Sequence, residues 1–212
     1  DGLGRMSTSM GRPDGLRVVP SDDALTVAGQ SVAGWLVVPA LSLDGELRTL
    51  QLIPPPGIGK KLNMPGASFA DGLFVVGDLS QPARAYIVEG IGQAWACWIA
   101  TGCAAVVTFG SARMAAVAEI LHSRFAALPL VVMPDRGKES QAAEIARAIR
   151  GQWVELPDDK PVNYDANDYA AEHGSDELGE LLDKPKAPAM RYRVLAADDL
   201  LSDAKLPRDL GL

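Results

Sequence analysis

Cysteine and histidine are nearly absent from this 212-residue chain, at two of each. Cys97 and Cys103 stand six apart in one apolar stretch, a spacing that excludes a disulfide scaffold and a Cys-rich zinc site and marks both as core thiols. His122 and His173 form no ligand pattern, which argues against a histidine-based metal centre. No apolar run approaches the roughly 18 residues of a membrane helix, and the opening DGLGRMSTSM lacks the pattern of a secretory leader, so a cytoplasmic location without membrane contact is expected. An excess of positive charge is missing too: 20 Lys and Arg face 27 Asp and Glu, for a net charge of −7. Bulk attraction to a polyanion is thereby excluded, so a nucleic-acid partner would have to be met by a local basic patch or through bound metal. The first residue is Asp rather than Met, consistent with a piece of a longer protein.

What is present is ample for a core, since 48% of residues are hydrophobic, and disorder of the whole chain is excluded. From Leu16 to about Gly77, short apolar runs (LRVV, ALTV, GWLVVPAL, ELRTLQLI, LFVVG) alternate with turn residues. Asp44-Gly45 between the two best runs is a hairpin signal, and this part reads as antiparallel β. Pro54-Pro55-Pro56-Gly57-Ile58-Gly59 forbids helix or central strand and delivers Lys60 and Lys61 on a loop or edge.

After Pro82 the period changes. AYIVE, AAVVTFG, PLVVMPD and WVELP read as strands, separated by GIGQAWACWIATG, SARMAAVAEILHSRFAAL and KESQAAEIARAIRG as helices. Ser111 is an N-cap candidate, and Gly102 and Gly151 are C-terminal signals. Four strands alternating with three helices predict an α/β domain with a parallel sheet and helices on both faces, preceded by a small β-rich subdomain. The expected division is 1–79 for the β-rich part, 80–174 for the α/β domain and 175–212 for a tail or linker containing DKPKAPAM and RYRVLAADDLL.

Ligands of an open parallel sheet sit beyond the carboxyl ends of its strands. Glu89 follows the first strand, Asp135 the third, and the loop after the fourth carries Asp158, Asp159, Asp165 and Asp168. Carboxylates gathered on one edge repel one another unless a cation neutralises them, and oxygen ligands point to Mg²⁺ or Mn²⁺. The alternatives are ordinary: such acids also cap helices, and Asp165 and Asn167 can bond their own backbone. Trp95 and Trp98, within the first helix, read as core rather than as base-stacking platforms.

Glu89-Gly90-Ile91-Gly92-Gln93-Ala94, the acid after the third strand and Asp165-Ala166-Asn167-Asp168-Tyr169 together resemble the Toprim domain, with wording closest to the EGYATA and DFNDL stretches of phage and plasmid primases or primase-helicases. Upstream, Pro39, Gly45, Gln51, Ile53, Gly59 and Lys61 fall in the spacing of the β-rich piece that precedes Toprim in those primases, and the resemblance runs from about Gly34 to Gly174. It implies a mobile-element DNA primase core that makes short RNA primers from NTPs on a single-stranded DNA template, beside a helicase domain or protein. In that reading Glu89 and Asp135 are catalytic, and Glu89, Asp135, Asp165 and Asp168 serve Mg²⁺ or Mn²⁺. Lys60, Lys61, Arg113 and Arg136 face template or nucleotide.

One position departs from the pattern. Toprim expects Asp-x-Asp, whereas this chain has Asp135-Arg136-Gly137-Lys138-Glu139, so Glu139 or a later acid would have to substitute, or one ion would be lost. The departure keeps two alternatives open, a non-catalytic Toprim docking module for nucleic acid or helicase and a Mg²⁺-dependent Toprim nuclease.

Overall fold

The computed structural model describes residues 15–80 and 83–189. The run RYRVLAADDLL lies outside them. Six short strands come first: β1 (Arg17–Val18), β2 (Thr26–Val27), β3 (Gln30–Ser31), β4 (Leu36–Leu41), β5 (Leu47–Ile53) and β6 (Leu62–Asn63). They form an antiparallel sheet in the order β1-β4-β5-β6 and a separate β2-β3 hairpin. Gly45 turns β4 into β5 at φ +86°, a conformation open to glycine without steric cost, as the Asp-Gly signal requires. Val19, Val27, Val32, Trp35 and Leu52 form the buried cluster of this part.

The second sheet is built from β7 (Phe74–Val76), β8 (Ala85–Val88), β9 (Ala104–Val107), β10 (Leu130–Val132) and β11 (Gln152–Trp153), in the order β11-β10-β8-β9-β7. All neighbours are parallel except β7, which pairs antiparallel with β9. LFVVG, grouped by sequence with the β-rich part, thus supplies the edge strand of the α/β sheet. Backbone bonds between Leu41 and Leu73, 2.8 Å in both directions, join the two sheets.

Between and after these strands lie α1 (Ile91–Thr101), α2 (Ser111–Arg124), α3 (Glu139–Ala148), α4 (Ala166–His173) and α5 (Ser175–Leu182). Every residue of β8, β9 and β10 is buried, as expected of parallel strands covered on both faces. Alternation sorts them: Tyr86, Val88, Ala105, Val107 and Val131 face Ala94, Cys97, Leu178 and Leu182, while Ala85, Ile87, Val106 and Val132 face Met114, Val117, Leu121, Ile145 and Ala146. Helices therefore cover both faces, α1 and α5 on one and α2 and α3 on the other. Trp95 and Trp98 pack against the first of these clusters. Gly77 is required beneath Trp98, since a Cβ there would lie 2.8 Å from the indole.

Local signals were met unevenly. Gly102 closes α1 in the left-handed region and donates its N–H to the Trp98 carbonyl at 2.7 Å. Ser111 is not a cap: it is the first residue of α2, after Gly110, and makes no capping bond. No helix among the described residues is long and apolar enough to cross a membrane.

Residues after 174 continue the packed structure, because α5 buries Leu178 and Leu182 fully against the α1 side of the sheet. Leu178→Ala should therefore cost about 2–4 kcal/mol, the transfer and cavity penalty of a core leucine. Urea unfolding measures it; a loss below about 1 kcal/mol would show that α5 is not part of the cooperative unit.

Candidate active site

The strand order fixes where the chain's acids can meet. From β8 the chain crosses to β9 on one side and later to β10 on the other, so the crevice beyond the carboxyl ends of β8 and β10 is a topological switch point. Register brings the ends level: Val132 pairs with Ile87, and the Met133 N–H donates to the Ile87 carbonyl at 2.9 Å. Glu89 and Asp135 leave these two ends side by side.

Their carboxylates converge on one cation, and that cation belongs to the chain. The Lys138 ammonium donates to Glu89 Oε1 and, at 2.9 Å, to Asp135 Oδ2. Burial opposes the charge on Lys138, but the hydrogen bonds and charges of Glu89 and Asp135 outweigh it and raise its pKa. Gln93 completes the arrangement from the first turn of α1. Only 1% exposed, it donates from Nε2 to Asp135 Oδ1 at 2.8 Å and accepts the Glu89 N–H at 2.9 Å. Sequence reasoning passed over both residues. The signals for them were one amide in an otherwise apolar helix and a lysine three positions after Asp135.

The loops after β10 and β11 are zipped together: Arg136 N–H donates to the Tyr164 carbonyl at 2.9 Å and Asn163 N–H to the Arg136 carbonyl at 3.0 Å. This holds Asp165 near Asp135. Burial pushes the Asp165 carboxyl upward, and the charges of Asp168 and Asp135 add to the shift despite backbone bonds that oppose it. Asp165 is also the N-cap of α4, accepting the N–H groups of Asn167 at 2.7 Å and Asp168 at 3.0 Å, while Asp168 accepts the Asp165 N–H at 3.1 Å in a reciprocal capping box. The capping alternative for these acids therefore holds in this structure. Among the described residues no three His, Cys, Asp or Glu side chains gather as a ready metal cage. The donor chemistry fits a hard divalent ion in part: Glu89 and Asp135 converge directly, whereas Asp165 and Asp168 are turned to the helix end.

Of the basic candidates, Lys61 reaches the site. A Cβ built on Gly90 would lie 3.3 Å from its ammonium, which puts that charge beside the uncapped start of α1 and next to Glu89. Lys60 is exposed on the same loop. Arg113 is committed elsewhere, donating to the carbonyls of Thr108, Ala70 and Gly72 at 2.7–2.8 Å and lying over the Phe69 ring. Arg136 is likewise held in its loop, by Glu139 and by the Asp158 carbonyl at 3.1 Å. Glu139 does not substitute for the second acid, because its carboxylate takes the Arg136 guanidinium and the Gly137 N–H. Gly137 itself sits at φ +88° with its missing Cβ directed at Val162, 3.3 Å away, so the turn excludes an aspartate side chain without strain.

No family model matches the chain. The DNA primase TraC of Escherichia coli is 28% identical in an alignment covering 80% of this chain and 18% of TraC, so the chain spans about a fifth of that relative's length. Among solved structures, the Aquifex aeolicus primase, zinc-binding and RNA polymerase domains, matches with a TM-score of 0.56 at 18% identity over 81% of this chain and 51% of that one. Primase domains of bacteriophage T7 gp4 match with a TM-score of 0.55 at 15% identity over 82% and 94%. The chain has the fold of these primase catalytic cores, a Toprim-type α/β sheet preceded by a β-rich part.

The raised pKa of Asp165 gives a test of the site's electrostatics. Its protonated form is favoured in the folded state, so the associated stability is complete below the ordinary value of 3.8 and is lost as pH rises through the raised one. Asp165→Asn keeps a capping oxygen and removes the charge. With chelator present, its melting temperature should gain on the parent as pH rises from about 4 to 7; a gap that stays constant or reverses would contradict the raised pKa.

Proposed function

We propose that this chain is the catalytic core of a mobile-element DNA primase, a cytoplasmic nucleotidyltransferase that joins NTPs into short RNA primers on single-stranded DNA. The observation that carries the reading is the meeting of Glu89 and Asp135 at the switch point of a sheet with the primase-core fold. The similarity to the DNA primase TraC supports the same reaction. In the T7 protein of similar fold the primase is part of a primase-helicase, which supports a helicase domain or protein as partner.

Primer synthesis needs a 3′-hydroxyl deprotonated as it attacks and a triphosphate whose growing charge is neutralised. A divalent ion, Mg²⁺ or Mn²⁺, would supply that neutralisation, held by Asp135 with Asp165 and Asp168 once the triphosphate brings it. Glu89 accepts the proton of the attacking 3′-oxygen. Lys61 and the N–H groups at the start of α1 bind phosphate oxygens beside it. Lys60 extends the same basic loop toward the template. In this division of labour the β-rich part, to about residue 72, guides template and nucleotide, and the remainder carries the chemistry.

A non-catalytic docking module is the second reading, and Gly137 is the observation in its favour. Incubating the chain with NTPs, single-stranded DNA and Mg²⁺ or Mn²⁺ separates the two. Dinucleotides should form, and Glu89→Gln should abolish them while moving the melting temperature by only a few degrees. No product from the parent chain would favour docking, and shortening of labelled DNA would indicate a nuclease.

The same loop yields a binding prediction. Single-stranded DNA should bind weakly, and changing Lys60 and Lys61 together to Ala should flatten the log–log salt dependence by about 1.4, roughly 0.7 for each phosphate no longer neutralised. An unchanged slope would move the template path away from this loop.

A further inference from the structure

Catalysis of phosphoryl transfer by paired ions needs two positive centres among the carboxylates. The turn from Asp135 to Lys138 supplies one of them from the polypeptide. The Lys138 N–H closes the turn on the Asp135 carbonyl at 3.1 Å, and Gly137, at φ +88°, sets the backbone so that the lysine side chain returns to the carboxylate three positions earlier. Its ammonium then sits between Asp135 and Glu89, on oxygens of acids that follow two different strands. The side chains of all three are largely buried, at 26%, 13% and 19% exposure for Lys138, Asp135 and Glu89, and Gln93 fixes the far oxygen of Asp135. The other two charges of the loop, Arg136 and Glu139, neutralise each other, so Lys138 is the loop's own counter-charge for the site.

We propose that the Lys138 ammonium is a tethered cation occupying one of the two ion positions of the site, between Glu89 and Asp135, so that the chain takes up one divalent ion fewer than its carboxylates would otherwise hold. The missing acid at Gly137 and the lysine that follows it are two halves of one change: a ligand is absent where the charge it would have helped to hold is already provided. A fixed ammonium neutralises two carboxylates without coordination demands, and it cannot leave with product. This rests on the divalent-ion reading of the preceding subsection, and its test is independent of primer synthesis.

The test is the number of Mn²⁺ ions bound per chain, read from the free-ion electron paramagnetic resonance signal, for the parent chain, Lys138→Met and Lys138→Arg. Methionine keeps the length of the side chain and removes its charge. Lys138→Met should bind one ion more than the parent, and Lys138→Arg the same number as the parent. Without divalent ions Lys138→Met should melt several degrees lower, and Mn²⁺ should recover more of its melting temperature than it adds to the parent. Should Lys138→Met fold poorly without metal, adding Glu89→Gln removes the repulsion, and the extra ion should then be absent. An equal count in Lys138→Met and the parent, or an extra ion that persists in the double variant, would overturn the proposal. The parent's own count tests whether Asp135, Asp165 and Asp168 take up an ion at all, so failure of that reading is distinguishable from failure of this one.

Discussion

The pairing of β8 with β10 is the constraint on which the site depends. Two strands far apart in sequence lie in register, and the acid that follows each arrives at the same point above the sheet. Neither Glu89 nor Asp135 would mean much alone, since an acid after a strand commonly caps a helix or faces water. Their convergence comes from the reversal of strand order, with β9 laid down on one side of β8 and β10 on the other. The dense packing of small and branched residues on both faces of these strands makes that register hard to shift.

Convergence of like charges has an energetic cost, and the surrounding residues offset it in distinct ways. Gln93 is buried with both its amide nitrogen and its oxygen hydrogen-bonded, an arrangement that orients Asp135 while satisfying the backbone of Glu89. Lys138 supplies opposite charge directly. Asp165, further along the same edge, is harder to ionise, first because it is buried and then because Asp168 and Asp135 repel its charge. The edge thus has one compensated pair and one acid whose charged form is disfavoured by burial and by its neighbours, and an arriving cation would favour that charged form. The Lys61 ammonium reaches this edge from the other part of the chain, which the backbone bonds between Leu41 and Leu73 join to the α/β sheet.

The α/β core was legible because its signals are local and strong. Alternating apolar runs and helical periods gave β8 to β11 and α1 to α3 in the right order, and the Asp-Gly turn gave the β4-β5 hairpin. β7 was misgrouped because strand partnership is a tertiary property: FVV has the same composition whichever sheet receives it. Ser111 failed as a cap because Gly110, at φ +133°, already turns the chain into α2. In the site, the positions of Glu89 and Asp135 followed from strand ends, and Lys61 was placed on its loop but not beside Glu89. The roles of Gln93 and Lys138 did not, since both arise from side chains meeting across a crossover. Arg113 and Arg136 looked like free basic residues because nothing in sequence shows that backbone carbonyls and Glu139 already occupy their guanidinium groups.

The central claim is that Glu89 and Asp135 act as one unit in primer synthesis, and a kinetic double-mutant cycle tests it most directly. Initial rates of dinucleotide formation would be compared for the parent chain, Glu89→Gln, Asp135→Asn and the double variant at saturating Mg²⁺. Residues acting as a unit are strongly non-additive, so the double variant should be no slower than the slower single variant. Losses that multiply, or single variants that retain the parent rate, would contradict the account.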